Sequence, residues 1–143
     1  MLFRSSRIPF NQVQQNVYTL LSTGQTIPVY DSVPTESETD AMPYIVLGEF
    51  HGSPVDENKT TVYHTVSQQI HVWTRGRAKK EVNEILDDMV YLLTKYSLPL
   101  TGYTQIGTAV IAQYMAYQEL YADNNSAYHG VLTVEWVLQQ ELN

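Results

Sequence analysis

The clearest hydrophobic pattern in the chain lies between residues 78 and 93, where apolar side chains recur every three or four positions. The apolar positions are Ala78, Val82, Ile85, Leu86, Met89, Val90, Leu92 and Leu93. This spacing predicts an amphipathic helix over Ala78–Leu93 with one buried face. Glu81, Glu84, Asp87 and Asp88 fall between the apolar positions and are interpreted as its solvated face.

A long alternating segment, Thr61–Trp73, precedes this helix. Val62, Val66 and Ile70 occupy positions of one parity, and polar side chains such as Thr65 occupy the other. This period of two predicts a half-buried strand. At ~3.3 Å per residue such a strand is far longer than average, so a bulge must break it or the hairpin must project and need a partner. Residues 74–77 form a short basic turn between strand and helix.

The first part of the chain contains one more helix and two more strands. Phe10, Val13 and Val17 follow helical spacing and predict a helix over Pro9–Ser22. Short apolar runs predict strands over residues 27–30 and 43–51, and the Gly- and Pro-containing residues 52–59 are interpreted as a hairpin connection. Between the two short strands, residues 31–42 are acidic and lack apolar periodicity, which predicts a mobile loop.

Two further strands are predicted after the second helix. Gln105–Tyr121 and Tyr128–Leu138 both alternate, and the residues Asp123–Ser126 between them are typical of a turn. The predicted fold class is α+β: a mostly antiparallel, twisted sheet with two long β-hairpins and two helices packed on one face. At 143 residues the chain is interpreted as one domain, residues 1–143.

Composition excludes several functional classes. The chain has no Cys, which excludes disulfide scaffolds, thiolate metal sites and cysteine nucleophiles. Its formal net charge of −7 argues against a protein that grips nucleic acid over a broad face. No run approaches the length of about 18 apolar residues that indicates a membrane helix, so no membrane association is expected. Eleven Tyr are consistent either with subunit interfaces or simply with strand propensity.

Two oppositely charged patches are candidate contact sites. The basic residues are Arg75, Arg77, Lys79 and Lys80. The acidic residues of the 31–42 loop are Asp31, Glu36, Glu38 and Asp40. Positive charge at the start of a helix is disfavoured by the helix dipole, which indicates an outside partner such as the acidic loop of another copy. Opposite charges on two patches of one chain favour head-to-tail contact and ring closure, although the basic residues can also be ordinary solvated side chains.

The chain has no recognisable catalytic motif, since phosphate-binding glycine loops, G-x-S-x-G and H-E-x-x-H are all missing. His64 and His71 are seven residues apart on one predicted strand and should point to opposite faces, so they are a poor metal pair. His51 and the remaining histidine, His129, are interpreted as polar strand positions. No cofactor, metal site or enzymatic activity is therefore expected.

Four segments carry a resemblance to a known family. They are Ile70–Thr74 followed by a basic turn, the helical run Glu81–Leu86, and the flanking strands Pro43–Glu49 and Tyr128–Leu132. In order and spacing over residues 10–140, the chain resembles the tail-completion, or tail-terminator, family of long-tailed bacteriophages. It matches this family least well in the 31–42 loop and in the length of the last hairpin.

The resemblance implies a non-enzymatic structural protein of the virion, similar to a lambda-type tail terminator. Such a protein forms a ring, commonly a hexamer, that caps the tail tube at its head-proximal end. Its implied partners are other copies of itself, the tail-tube protein and a head-connector or stopper protein. DNA would pass through the channel without sequence-specific binding, and assembly would take place in the bacterial host cytoplasm.

Two other functions remain open at this point. One is another head-to-tail connector component or the tail-tube protein itself, which would polymerise rather than stop at one ring. The other, from a different class, is a small bacterial binding module or an enzyme that depends on His51.

Overall fold

The computed structural model describes residues 7–34, 42–56, 61–76, 78–120 and 126–141 of the chain. In chain order these residues form α1 (Phe10–Gly24), β1 (Val29–Tyr30), β2 (Tyr44–Asp56), β3 (Val62–Arg75), α2 (Lys80–Lys95), β4 (Tyr103–Gln105), β5 (Val110–Leu120) and β6 (Ser126–Gln140). Most of the predicted 31–42 loop lies outside the described residues. No helix in the described ranges is both long enough and apolar enough to cross a membrane.

The strands form one sheet in the order β1-β2-β3-β6, with β4 and β5 both placed beside the remaining edge of β6. β1 runs parallel to β2, and the other described strand pairs are antiparallel. The α+β class is therefore confirmed, but the sheet is mixed. The successive pairs β2–β3 and β5–β6 lie where the two hairpins were predicted.

Both helices contribute to one hydrophobic core on one face of the sheet, which we call the core face. α1 buries Val13, Val17 and Leu21. α2 buries its predicted apolar positions Val82, Ile85, Leu86, Met89, Leu92 and Leu93. From the sheet, the core face contributes alternate residues of the central strands, including Ile70, Leu132 and the fully buried Trp136. The opposite side is called the outer face.

The centre of the sheet is the long pair β3–β6, whose register is continuous from Val62–Gln140 to Arg75–Ala127. The bulge that was one of the two alternatives predicted for β3 is therefore not found in its pairing with β6. The irregularity lies in its other partner, β2, between Leu47 and Phe50. β2 is lined on its other side by β1, which pairs only with Ile45 and Val46. The continuous apolar run at the start of β2 is buried on both faces, as predicted.

The structure corrects two strand predictions. Residues 52–56, interpreted as part of a connection, continue β2 as far as Asp56. The strand predicted from Gln105 starts only at Val110, as β5, while Gln105 itself ends β4, because the chain leaves the sheet between the two strands. Gly107 has a positive φ of 72° in this excursion, a conformation that glycine adopts without a steric penalty.

Candidate functional site

The basic patch lies at the end of the sheet where β3 passes into α2. Arg75 is the last residue of β3, Lys79 immediately precedes α2, and Lys80 is its first residue. All three are exposed. Lys80 forms an ion pair with Glu84 at 3.8 Å, but the two side chains are 85% and 64% exposed, so this pair contributes little stability. Arg77 lies outside the described residues.

Only one residue of the predicted acidic patch can be placed. Asp31 follows β1 and accepts a hydrogen bond of 2.8 Å from Gln14 Nε2 of α1. Gln14 Oε1 in turn accepts one from the buried Gln68 of β3, so Asp31 ends a polar chain that ties α1 to the centre of the sheet. Glu36, Glu38 and Asp40 lie outside the described residues, and their meeting with a basic patch stays a prediction.

The outer face carries a polar cluster that sequence reasoning missed. We call it the outer-face network, and it consists of His71, Trp73, Tyr117, Glu119 and His129. Strand register brings these residues together, because Trp73 lies opposite His129 on one side and Tyr117 lies opposite His129 on the other. The Trp73 and His129 rings stack at 4.1 Å between centroids, and Tyr44 stacks on Trp73 at 5.5 Å.

Hydrogen bonds join the network into one unit. His129 Nδ1 lies 2.8 Å from Glu119 Oε1 and 2.8 Å from the Tyr117 hydroxyl. Trp73 Nε1 donates to Glu119 Oε2 at 3.3 Å, and His71 Nδ1 lies 2.8 Å from His129 Nε2. Two imidazole nitrogens at that distance share a single proton, so the two rings cannot both be fully protonated without breaking the contact.

The environment of the network shifts the pKa values of its members. Burial lowers the pKa of His71, and His129 lowers it further, while Glu49 and Glu119 act in the opposite direction. Burial by itself would raise the pKa of Glu119, but hydrogen bonds from His129, Trp73 and Tyr117 outweigh it, so the pKa of Glu119 is lowered. Burial, with the nearby Glu119 carboxylate, raises the pKa of Tyr117. The network is therefore stable with a charged Glu119 and a neutral His71.

These hydrogen bonds join the three strands β3, β5 and β6 on the outer face. In the described ranges no group of three or more His, Cys, Asp or Glu side chains is placed to hold a metal ion. His64 is buried on the core face, with Nε2 3.0 Å from Gln140 Oε1, so His64 and His71 do point to opposite faces as predicted. His51 is exposed, pairs in register with Ser67, and is not a member of the network.

The second unexpected feature is the exposure of β5. This strand pairs with β6 on one side, and no other described strand lies beside it. It exposes large apolar side chains on both faces: Val110, Tyr114, Met115, Tyr117 and Leu120. Tyr114 and Leu120 are 73% and 78% exposed. An open strand edge with exposed apolar side chains promotes association unless a partner covers it.

A groove lies between β5 and α2, with a volume of about 540 Å³. Its lining residues are Asn83, Leu86, Asp87, Val90, Ile111 and Tyr114. The floor is apolar and one wall carries the acidic side of α2. The alternation over residues 105–121 predicted a strand, but it could not show that the apolar side chains of this strand would be exposed to solvent.

Comparison with known proteins places the chain in a structural context. The family model described as "Tail completion protein gp17" matches residues 14–139. Among solved structures, a chain from one described as "Virion of native gene transfer agent (GTA) particle" matches with a TM-score of 0.58 at 18% sequence identity, covering 90% of each chain. At this identity the likeness concerns the fold alone. No curated protein matches the chain.

Proposed function

Because the chain belongs to the tail completion protein gp17 family, we propose that it is a structural virion protein that caps the tail tube of a long-tailed phage. In this proposal several copies, in a hexamer if the number common in similar proteins holds, form a ring at the head-proximal end of the tube. The ring joins the tube to the head connector. The family match over residues 14–139 is the observation that carries the proposal.

The exposed strand β5 supports the assembly step. A protein of this size has enough residues to cover its own apolar strands, yet β5 leaves Tyr114 and Leu120 almost fully exposed and one edge unpaired among the described strands. Aromatic side chains and Met are enriched at the centres of protein interfaces, where charged residues are depleted. β5 has this composition, with a single charged residue, Glu119, which is held in the outer-face network.

The charge of the chain supports passage of DNA without binding. A net charge of −7 gives an overall repulsion toward phosphates, so a ring of such subunits lets DNA slide rather than adhere. Replacing channel-facing acids by Lys should then slow DNA ejection from otherwise complete particles. Ejection at the wild-type rate would contradict this part of the proposal.

The proposal is tested by determining the mass of the purified protein alone and after addition of purified tail tubes. A tail terminator should reach one finite ring, bind at one end of each tube and stop further growth. A tail-tube protein, the second candidate, should instead form long polymers by itself. Protein that stays monomeric, does not bind the tail tubes and is dispensable for joining heads to tails would refute the proposed function.

The enzymatic alternative is tested with a variant of His51, in which tube capping and any chemical activity are measured side by side. A His51→Ala variant should cap tubes like the wild type, because His51 is an exposed side chain outside the outer-face network. Loss of a chemical activity in this variant, with capping and fold retained, would instead favour an enzyme.

A further inference from the structure

The exposed apolar side chains of β5 lie in a stretch of sequence that is nearly free of charge. No Asp, Glu, Lys or Arg occurs from Tyr96 to Gln118, a segment that includes β4 and nearly all of β5. Elsewhere the exposed positions are frequently charged, as on α2. Absence of charge combined with exposed Tyr, Met and Leu side chains is the composition of an interface centre rather than of a solvated surface.

The acidic side of α2 borders this surface. Asp87 lies in the groove with Ile111 and Tyr114, and Asp88 is exposed beside it on the helix. A partner that enters the groove is therefore favoured by positive charge beside the Asp87 wall. An acidic partner would be repelled at this position.

The chain itself has the required positive charge. Lys79 and Lys80 are exposed at the start of α2, whose dipole opposes their charge, and the exposed Arg75 ends the preceding strand β3. An acidic surface from another molecule would relieve this opposition. We propose that the groove between α2 and β5, with the exposed side of β5, receives the basic end of the sheet of a second copy.

This inference rests on the proposed ring and specifies the contact that would form it. The groove wall at Asp87 and the basic end at Lys79 and Lys80 use different residues of the α2 region, and in a heterologous contact each copy turns its groove toward one neighbour and its basic end toward the other. Repetition of such a contact closes into a ring when the rotation per copy permits. The exposed apolar side chains supply the buried area, and the charges fix the orientation.

The charges can be tested by exchanging them. One variant, Asp87→Lys/Asp88→Lys, makes the groove wall basic, and the other, Lys79→Glu/Lys80→Glu, makes the sheet end acidic. Neither should prevent folding, since Lys is a better helix former than Asp, acidic residues suit a helix start, and the exposed Lys80–Glu84 pair lost in the second variant contributes little stability. Each variant alone should associate at least about tenfold more weakly than wild type, because like charges then face each other.

An equimolar mixture of the two variants should recover assembly, because every contact in an alternating ring is then complementary. Native mass spectrometry would show rings containing both variants in equal number. Failure of the mixture to assemble, or wild-type rings from either variant alone, would overturn the proposed contact. Circular dichroism of each variant checks that the subunits are folded.

The apolar part of the contact has its own test, Tyr114→Ser. This variant should weaken association by about tenfold, as expected for removing an aromatic side chain from the centre of an interface. The matched control is Tyr18→Ser, since Tyr18 is an exposed tyrosine on α1, away from the groove, and its loss should leave assembly unchanged. Equal assembly of both variants and wild type would contradict the docking surface.

These measurements separate failure of the contact from failure of the proposed function. Wild-type protein that neither forms rings nor caps tubes would refute the function. Wild-type rings that persist in the charge and Tyr114 variants would refute only the contact. Variants that form normal rings but no longer bind tubes would assign the β5 surface to the tube, against the second copy.

Discussion

At the scale of single residues, the protonation state of His71 is the most consequential variable in the described structure. His71 is half-buried, shares one proton with His129, and has a pKa below its usual value, first because of burial and then because of His129. The charged groups that face it are Glu49 from β2, Glu119 from β5 and His129 from β6. The folded protein therefore holds His71 neutral at pH values where the unfolded chain protonates it.

The lowered pKa of His71 makes the free energy of unfolding depend on pH. A pKa lowered by folding stabilises the protein above the unfolded pKa, near 6.5 for His, and that stability is lost as the pH falls from this value through the lower folded pKa. The lowered pKa of Glu119 adds a second loss below its ordinary pKa of 4.5. We expect the free energy of unfolding at fixed protein concentration to fall first below pH 6.5 and again below pH 4.5.

The variant His71→Asn should remove the first of these losses. Its side-chain amide keeps a donor near the position of Nδ1 and cannot take up a proton, so the free energy of unfolding should change less between pH 7 and pH 5 than in the wild type. Gln69→Asn is the control, because Gln69 lies on the same face of β3 and carries no titrating group. Urea denaturation across this pH range provides the measurement, and an unaltered pH profile in His71→Asn would contradict the role of His71.

Glu119 is the acceptor on which the network converges. Glu119→Gln retains the size of the side chain but removes the charge that accepts hydrogen bonds from Trp73 and His129. Because hydrogen bonds to charged groups are stronger than neutral ones, we expect a loss of about 1–2 kcal/mol in the free energy of unfolding at pH 7. Glu135→Gln, which changes an acid of the outer face on β6, should stay within about 0.5 kcal/mol of wild type. A similar midpoint for both variants in urea denaturation would argue against the network.

The network could not have been predicted from the sequence, although each of its residues was visible there. Trp73 and Glu119 are 46 positions apart, and His71 and His129 are 58 apart. Their meeting depends on the register of β3 on β6 and of β5 on β6. A shift of one residue in either pairing would move the side chains to opposite faces, and periodicity within a single strand contains no information on register between strands.

At the scale of elements, Gly130 sets the distance between α2 and the sheet. A Cβ at this position would lie 2.9 Å from Val82 Cγ2 and 3.1 Å from Leu86 Cδ1. Both neighbours belong to the buried face of α2, and Val is rigid in a helix because its χ1 is restricted. The helix therefore packs on β6 at a distance that requires glycine.

Gly130→Val should destabilise the protein by about 1–3 kcal/mol, the usual cost of overpacking a core. The cost should be smaller in a Val82→Ala background, since the smaller side chain leaves room for the new methyl groups. Thermal or urea unfolding of the two single variants and the double variant gives the coupling energy. Strict additivity of the two substitutions would show that Gly130 and Val82 do not set the helix–sheet distance.

The elements with strong periodicity were the ones that the sequence predicted well. α2 and β3 each begin and end within two residues of the predicted bounds, because a half-buried helix or strand displays its period over many positions. β2 was predicted too short, since Gly52 and Pro54 indicate a turn. They are tolerated because β1 pairs only with Ile45 and Val46, which leaves this part of β2 at a sheet edge where proline costs little.

At the scale of the whole molecule, the sequence predicted charged contact patches but not the exposed apolar strand beside α2. The basic patch was predicted from Arg75, Arg77, Lys79 and Lys80, with the acidic loop of another copy as its partner. The structure adds a second acidic surface, on α2, directly beside the exposed apolar strand. Only tertiary structure could show this, because Asp87 and Tyr114 belong to separate elements that meet across the groove.

If the proposed contact combines charges with apolar side chains, assembly should respond differently to two salts. Raising NaCl from 0.1 to 1 M shortens the Debye length from about 10 to about 3 Å, which screens exposed charges. We expect association between copies to weaken by about tenfold, or 1.4 kcal/mol. Sodium sulfate at equal ionic strength screens the charges as well, but it strengthens apolar burial, so the net loss should be smaller.

In Tyr114→Ser the difference between the salts should shrink, because part of the apolar contact is missing. Sedimentation velocity at several protein concentrations measures these changes, and association that is insensitive to NaCl would show that the charges do not face each other across the contact.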